Sequence, residues 1–429
     1  MSTSMDRRRF LGSAALSAAA SSVAVSAKTR SKYDSPNTRV VLGVMGMSRG
    51  RTLAMSLGSQ PNVHLKYICD VDSQRLDKVA KMLEEKLGKA PQKVTDFRRI
   101  LEDPAVDALA NAGPNHWHAP GTILACSAGK HVYVEKPCSH NPREGELMVQ
   151  AARKYNRAVQ MGTQRRSSPG TQEAIQQLHE GVIGRVYMVR AWANSGRGTL
   201  GRGKPTAAPS HLDYDMWQGP APRFPYKDNL IHYNWHWHWH WGNGELGNNG
   251  VHTLDLCRWG MGVDYPTGVT SSGGRYCFDD DQETPDTHTV CYEFPGKRSI
   301  TWAGLSCNRH SPGFITFYGD NGALDLGSKG SYTILDKDGE VVKKSPEDTY
   351  GDIPHAQNFL AAIRNDKPLS LNTEIAEAHK TTLMCHLGNI AHRTGRNLTC
   401  DPSNGHIKND PEAMQYWSRE YAKGWEPQV

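Results

Sequence analysis

Between Arg39 and Gly162, short apolar runs alternate with stretches of helical periodicity, and this alternation constrains the fold more than any other feature of the chain. Arg39-Val40-Val41-Leu42-Gly43-Val44-Met45 begins the series as a buried strand. The pattern then predicts a helix after Gly50, a strand at 65–69, and helices at 73–87 and 98–101. A strand at 108–112, a helix at 120–128, a strand at 131–134, a helix at 142–155 and a strand at 158–161 complete it. Such a series dictates a parallel sheet with helices on both faces, linked by right-handed crossovers.

After Gly162 the strands lengthen and become richer in β-branched and aromatic residues, as at 185–192. The runs at 289–294, 299–302 and 313–319 read as successive antiparallel strands with one buried face. Two helical patterns, 355–365 and 375–393, are expected to pack on that sheet or back on the first. The reading is therefore α/β with two domains, a parallel-sheet domain at 39–162 and an α/β domain at 163–429, as suits a chain of 429 residues.

The amino terminus is set apart. Asp6-Arg7-Arg8-Arg9-Phe10-Leu11-Gly12 precedes a stretch rich in Ala and Ser that ends at Ala27, the pattern of a twin-arginine signal. Cleavage after Ala27, a polar linker at 28–38 and a periplasmic or otherwise exported location are the expectations. No window supplies the roughly 20 consecutive apolar residues of a spanning helix, so stable membrane insertion is not expected. The formal net charge of +6 is scattered instead of clustered, which argues against a nucleic-acid partner. Nine cysteines without a C-x-x-C pair define neither a disulfide framework nor a zinc site, and most are expected to be buried thiols.

Chemistry gathers at strand ends, which is where ligands bind in an open parallel sheet. The first strand leads into Gly46-Met47-Ser48-Arg49-Gly50, the place of a phosphate-binding turn, although it is one residue short of G-x-G-x-x-G and carries Ser48 in the middle. The second ends in Asp70, at the distance expected of a ribose-binding acid; its other reading is a helix cap. A carboxylate there favours NAD, while Arg49 and Arg75 leave NADP open. Two further strands end in Pro114-Asn115-His116-Trp117-His118 and in Glu135-Lys136-Pro137. The expected cofactor contacts are Gly46, Ser48, Arg49, Gly50, Asp70, Asn115, His118, Glu135, Lys136 and Pro137.

In the second domain, Trp235-His236-Trp237-His238-Trp239-His240-Trp241, if extended, puts indoles on one face and imidazoles on the other. The indoles suit either a sugar or the core. The histidines lack an acidic partner that would define a metal site, so none is assigned. His252 and Asp255 open a helix at 251–259, where an imidazole is placed to exchange a proton with a substrate hydroxyl or simply to cap and pack.

The turn at 114–118, the run Gly129-Lys130-His131-Val132-Tyr133-Val134-Glu135-Lys136-Pro137 and Gly250-Val251-His252-Thr253-Leu254-Asp255 together resemble the Gfo/Idh/MocA family, which includes glucose-fructose oxidoreductase and inositol dehydrogenase. The resemblance covers nearly everything after the leader. It implies a Rossmann domain followed by an α/β domain with a large, mostly antiparallel open sheet whose exposed face commonly forms dimers or tetramers. It also implies that Lys136 and His252 flank a substrate beside the nicotinamide. Many dehydrogenases of the family carry Asp four residues before that His, where this chain has Asn248, which cannot take a proton.

The function expected is hydride transfer between a tightly bound NAD or NADP and a secondary hydroxyl or carbonyl of a sugar or polyol, with Lys136, His252 and Asn248 as catalytic residues. Two alternatives are an NAD-dependent glycosidase that oxidises transiently and eliminates, and a sugar-binding protein without catalysis.

Overall fold

The computed structural model describes residues 38–348 and 351–429, so the expected signal and nearly all of the linker lie outside the described residues. The first sheet has six strands: β1 (Val40–Met45), β2 (Val63–Cys69), β3 (Gln92–Val94), β4 (Ala108–Asn111), β5 (His131–Val134) and β6 (Val159–Met161). Their order is β3-β2-β1-β4-β5-β6 and every pairing is parallel. This doubly wound order reverses between β1 and β4, and a crevice opens at that reversal.

Local signals account for the intervening helices. Between α1 (Gly50–Gly58) and α3 (Arg98–Glu102), α2 (Ser73–Leu87) is capped by Asp72, ends at left-handed Gly88, and buries Leu76, Val79 and Leu83 along one stripe. Helix α4 (Asn115–Ser127) begins at Asn115, not at Pro120 where the proline suggested a start. The Asn111 side chain donates to the Trp117 and His118 carbonyls at 3.0 and 3.2 Å and so holds the extra turn. Helix α5 (Pro142–Lys154) has Asn141 as its cap and Pro142 in its first turn. Strand β3 escaped the sequence reading because it is three residues long and exposed at the sheet edge.

The second sheet has nine strands, fed by α6 (Pro169–His179). They are β7 (Val186–Asn194), β8 (Gly268–Gly274), β9 (Thr287–Phe294), β10 (Arg298–Leu305), β11 (Ile315–Gly319), β12 (Gly322–Leu326), β13 (Tyr332–Leu335), β14 (Val341–Lys344) and β15 (Leu398–Thr399). Their order is β14-β13-β12-β11-β7-β10-β9-β8-β15. The expectation of successive antiparallel strands holds for β9 and β10 but fails at β11: β7 lies between β10 and β11, parallel to the first and antiparallel to the second. Long-range pairing of this kind is invisible to local periodicity.

Helix α7 (Tyr214–Gln218) lies in the long connection after β7, and α8 (Val251–Met261) packs on the sheet. Helix α9 (Asp352–Arg364) leaves the second sheet and packs on α1; Ala356, Phe359 and Leu360 share a core with Val40, Leu42 and Leu53. Helix α10 (Ile375–Thr394) lies against α5 and β8, and α11 (Pro411–Met414) follows near the carboxyl end. The two sheets are thus joined by helices from the later part of the chain, which fixes the wall facing the crevice.

Candidate functional site

The carboxyl ends of β1, β2, β4 and β5 open on a cleft of about 400 Å³, and the connection from β7 to α8 closes its other side. Gly46 makes the tight turn, with φ +85° and a position where a Cβ would stand 2.3 Å from the Ala112 carbonyl oxygen. Its own amide donates to Cys69 O at 2.8 Å, that of Met47 to Asp70 Oδ2 at 2.6 Å, and that of Gly50 to Gly46 O at 3.0 Å. These bonds leave the Ser48 and Arg49 amides at the start of α1 as the groups able to meet a phosphate. Gly50 is buried and serves packing: a Cβ there would press on Val44 Cγ1 at 3.1 Å and Met47 Cε at 3.3 Å.

Asp70 directly follows β2 at the cleft, and the cap role belongs instead to Asp72, whose Oδ1 accepts from the Arg75 amide at 3.0 Å. Asp70 accepts from the Met47 and Asp72 amides, and each oxygen keeps capacity for another donor. Burial raises its pKa above the usual carboxylate value. Arg75 is the cation beside it, with its guanidinium on Ser48 Oγ. Arg49, also expected near the ribose, is turned away and held by Glu135 Oε1 at 2.8 Å and by both oxygens of Asp352. Residue type alone did not distinguish the two arginines.

Other expected contacts are architectural in part. Asn115 lines the cleft but donates to Asn243 Oδ1 at 2.9 Å. His118 joins two strand ends, with Nδ1 2.6 Å from Pro137 O and Nε2 2.8 Å from Gly113 O, while burial pulls its pKa down. Pro137 contributes that carbonyl and follows a cis peptide bond. Glu135 is the buried clamp for Arg49.

Lys136 crosses the cleft from β5. Its Nζ donates to Asn248 O at 2.8 Å and to Asn248 Oδ1 at 2.9 Å. Asn248 belongs to a π-helical turn, Leu246–Gly250, that runs directly into α8. Burial lowers the Lys136 pKa below the ordinary lysine value, and the Glu135 and Glu245 charges oppose that shift. His252 follows one turn later and is not among the residues lining the cleft. Its Nδ1 has no hydrogen-bond partner among the described residues, and burial together with the Lys136 charge holds the ring well below its ordinary pKa. Asp255 does not share that face in function: Arg166 grips it through both oxygens at 2.7 and 2.9 Å, and Thr381 adds a third bond.

The Trp/His run is not an extended strand. Asn234–Trp237 is a 3-10 turn, so the indoles and imidazoles do not alternate between two faces. Trp235, Trp237 and Trp241 are buried, and the histidines diverge to separate partners: His236 to Tyr233 O, His238 to Glu283 and His240 to Pro222 O. No group of three or more His, Cys, Asp or Glu able to hold a metal ion occurs among the described residues. His236 does reach the cleft, stacked on Trp235 at 3.6 Å, with burial pushing its pKa down to about 3.

Sequence reasoning missed Arg197. It lines the cleft opposite Lys136, pairs with Glu245 at 3.0 Å and lies 4.6 Å over the Trp237 ring. Its only local signal was an isolated arginine in a polar connection. His232 was missed likewise: its Nε2 bonds Asp72 Oδ2 at 2.8 Å and ties the second part of the chain to the cap of α2.

Comparison with known proteins agrees with this architecture. Residues 38–163 match the model described as "Oxidoreductase family, NAD-binding Rossmann fold", and residues 191–426 match "Oxidoreductase family, C-terminal alpha/beta domain". Levoglucosan dehydrogenase of Pseudarthrobacter phenanthrenivorans is 34% identical over 96 residues, 22% of this chain and 25% of that protein. Myo-inositol 2-dehydrogenase of Thermotoga maritima is 29% identical over 150 residues, 35% of this chain and 43% of that protein. The matched stretches thus span less than half the length of these two curated relatives. Among solved structures, an aldose-aldose oxidoreductase from Caulobacter crescentus shares the fold, with a TM-score of 0.64 at 19% identity over 84% of this chain and 99% of that one. The two family models account for both sheets and for the cleft between them, and the chain belongs to the Gfo/Idh/MocA oxidoreductase family.

Proposed function

We propose that the chain is an exported oxidoreductase that moves hydride between a firmly held NAD, or NADP, and a secondary hydroxyl or carbonyl of a sugar or polyol. One observation carries the reading: the Lys136 amine is fixed on Asn248 in the same cleft as the Gly46 turn and Asp70. The residues present fit a dinucleotide. The turn leaves two amides for phosphate, Asp70 retains acceptor capacity for ribose hydroxyls, and Gly46 keeps a Cβ out of the cradle. A bound nicotinamide supplies hydride transfer at a carbon bearing oxygen.

The chain's own groups handle the oxygen and its proton. Lys136 donates to the reacting oxygen and stabilises its alkoxide-like charge. Asn248 cannot take the proton, so it positions Lys136, and His252, one turn behind the cleft lining and held neutral by burial, is left as the relay. Arg197, His236 and Asn249 on the facing wall orient the remaining hydroxyls.

The Asp6–Gly12 arginine motif supports export, and an exported enzyme cannot count on free cofactor, so the cofactor is retained and restored within the site. The relatives named as sugar and inositol dehydrogenases support the substrate class. The open nine-stranded sheet offers a face for pairing with a second copy. A second reading is favoured by Asn248: without a carboxylate beside Lys136, transient oxidation followed by elimination of a glycosidic substituent competes with net oxidation.

Mass spectrometry of what a denatured, freshly purified sample releases tests the cofactor, and an empty protein with weak NAD affinity refutes retention. Incubation with aryl glycosides separates the two chemistries. Release of the phenol without net cofactor reduction decides for elimination.

A further inference from the structure

Of the nine cysteines, six are buried, Cys277 is exposed, and Cys291 and Cys307 are partly exposed. Cys277 lies between β8 and β9, and Cys307 just beyond β10. Asp286 draws them together. Its Oδ2 accepts from the Cys277 amide at 2.9 Å and from Arg275 Nη1 at 3.0 Å, and that Nη1 lies 3.7 Å from Cys307 Sγ. The Ser306 amide, next to Cys307, donates to Asp286 O at 2.8 Å. Cys277 is among the groups that raise the Cys307 pKa, after burial and Asp286, as befits two neighbouring side chains.

The same loops hold the arm that carries Arg197. The Ser195 and Arg197 amides donate to Leu305 O and Ser306 O at 3.1 and 2.8 Å, immediately before Cys307. Thr199 Oγ1 and the Leu200 amide donate to Asp280 Oδ2 at 2.8 and 2.7 Å, and Arg275 in turn grips Asp280. One side of the arm is thus fastened beside Cys307 and the other beside Cys277.

We propose that Cys277 and Cys307 form a disulfide once the folded chain meets an oxidising compartment, and that the bridge locks the 195–200 arm against the carboxyl end of β10. The oxidant is itself a disulfide, small or protein-borne. The exposed Cys277 thiolate attacks one of its sulfurs to give a mixed disulfide and expels the other as a thiolate. The Cys307 thiolate then displaces the remaining oxidant sulfur, so the S–S bond forms, two protons leave, and two electrons reduce the oxidant to two thiols. Burial and the Asp286 charge push the Cys307 thiol up to about 11, so the thiolate needed for ring closure grows as pH rises. The bridge does not depend on the nicotinamide reading, because both of its tests run without substrate.

The first test exposes the reduced, purified full chain to oxidised glutathione, alkylates it under denaturing conditions and digests it without reductant. One crosslinked peptide joining Cys277 to Cys307 is expected, with every other cysteine alkylated. Recovery of both thiols alkylated, a lasting glutathione adduct on Cys277, or a bridge to any other cysteine overturns the proposal. The second test is limited trypsin cleavage after Arg202, whose side chain is 64% exposed. Nicking is expected to slow several-fold on oxidation in the parent and not in Cys277→Ser. Equal nicking of oxidised and reduced parent overturns the locking of the arm.

Discussion

Lys136 Nζ donates to both the main-chain carbonyl and the side-chain oxygen of Asn248, at 2.8 and 2.9 Å, so a single neutral residue of the second half of the chain aims the amine delivered by the first sheet. The contact spans 112 residues of sequence. If the amine stabilises oxyanion charge in the transition state, Lys136→Ala lowers kcat by about 100-fold or more. Bound cofactor, read by mass spectrometry, stays in place. An unchanged kcat in a folded Lys136→Ala protein refutes the assignment.

The charge state of this amine sets an alkaline limit. The ammonium is the active form, and burial lowers its pKa, so turnover falls as pH rises and does so below the ordinary lysine value of 10.5. Asn248→Asp places a carboxylate at the amine, favours the charged form and moves that limb to higher pH. A pH–rate profile of both proteins checks the direction, and a limb that stays put refutes it.

Gly46→Ala combines a left-handed backbone with a Cβ placed 2.3 Å from the Ala112 carbonyl oxygen. A loss of about 2 kcal/mol or more is expected by denaturant unfolding, together with weakened dinucleotide binding by calorimetry.

Arg166 and Asp255 form a bidentate pair with side chains only 6% and 1% exposed. Arg166→Ala strands a buried carboxylate and costs about 3–5 kcal/mol in chemical denaturation. A near-neutral result shows that Asp255 finds another partner.

Acid weakens the fold. Burial pushes His116, His236, His288 and His386 down to about 3, and His131, His355 and His379 down to about 4. Below the ordinary histidine value of 6.5 the unfolded chain binds protons that these folded rings refuse, so their stability is full above that pH and is lost toward about 4 for three of them and about 3 for the other four. Each contributes about 1 kcal/mol of loss one unit below 6.5. Glu144, pushed up to about 7 by burial, and Asp70, also raised by burial, run the other way but are outnumbered by these seven histidines. Thermal melts from about pH 7 down to about pH 5 check the sum, and a flat Tm contradicts it.

The first sheet, its short exposed β3 apart, was legible because its elements announce themselves locally: α2 has its cap, stripe and terminal glycine, and β5 is an apolar run that ends in Glu135-Lys136-Pro137. Gly46, Asp70 and Lys136 were likewise readable, since strand ends in a parallel sheet fall on one edge. The insertion of β7 between β10 and β11 was not readable, nor was the 3-10 turn within the Trp/His run. Both follow from partners far along the chain.

By itself, then, the sequence determined the doubly wound sheet, its crevice and the amine at the crevice edge, because hydrophobic periodicity and turn chemistry act over a few neighbouring residues. Tertiary structure alone decided what surrounds that amine. It chose Asn248 as the partner of Lys136, locked Arg49 onto Glu135 and Asp352 while leaving Arg75 beside Asp70, and brought Arg197 across the cleft. The reason is physical: a charge or hydrogen bond selects its partner by distance in space, and those distances exist only after α9, α10 and the second sheet have packed.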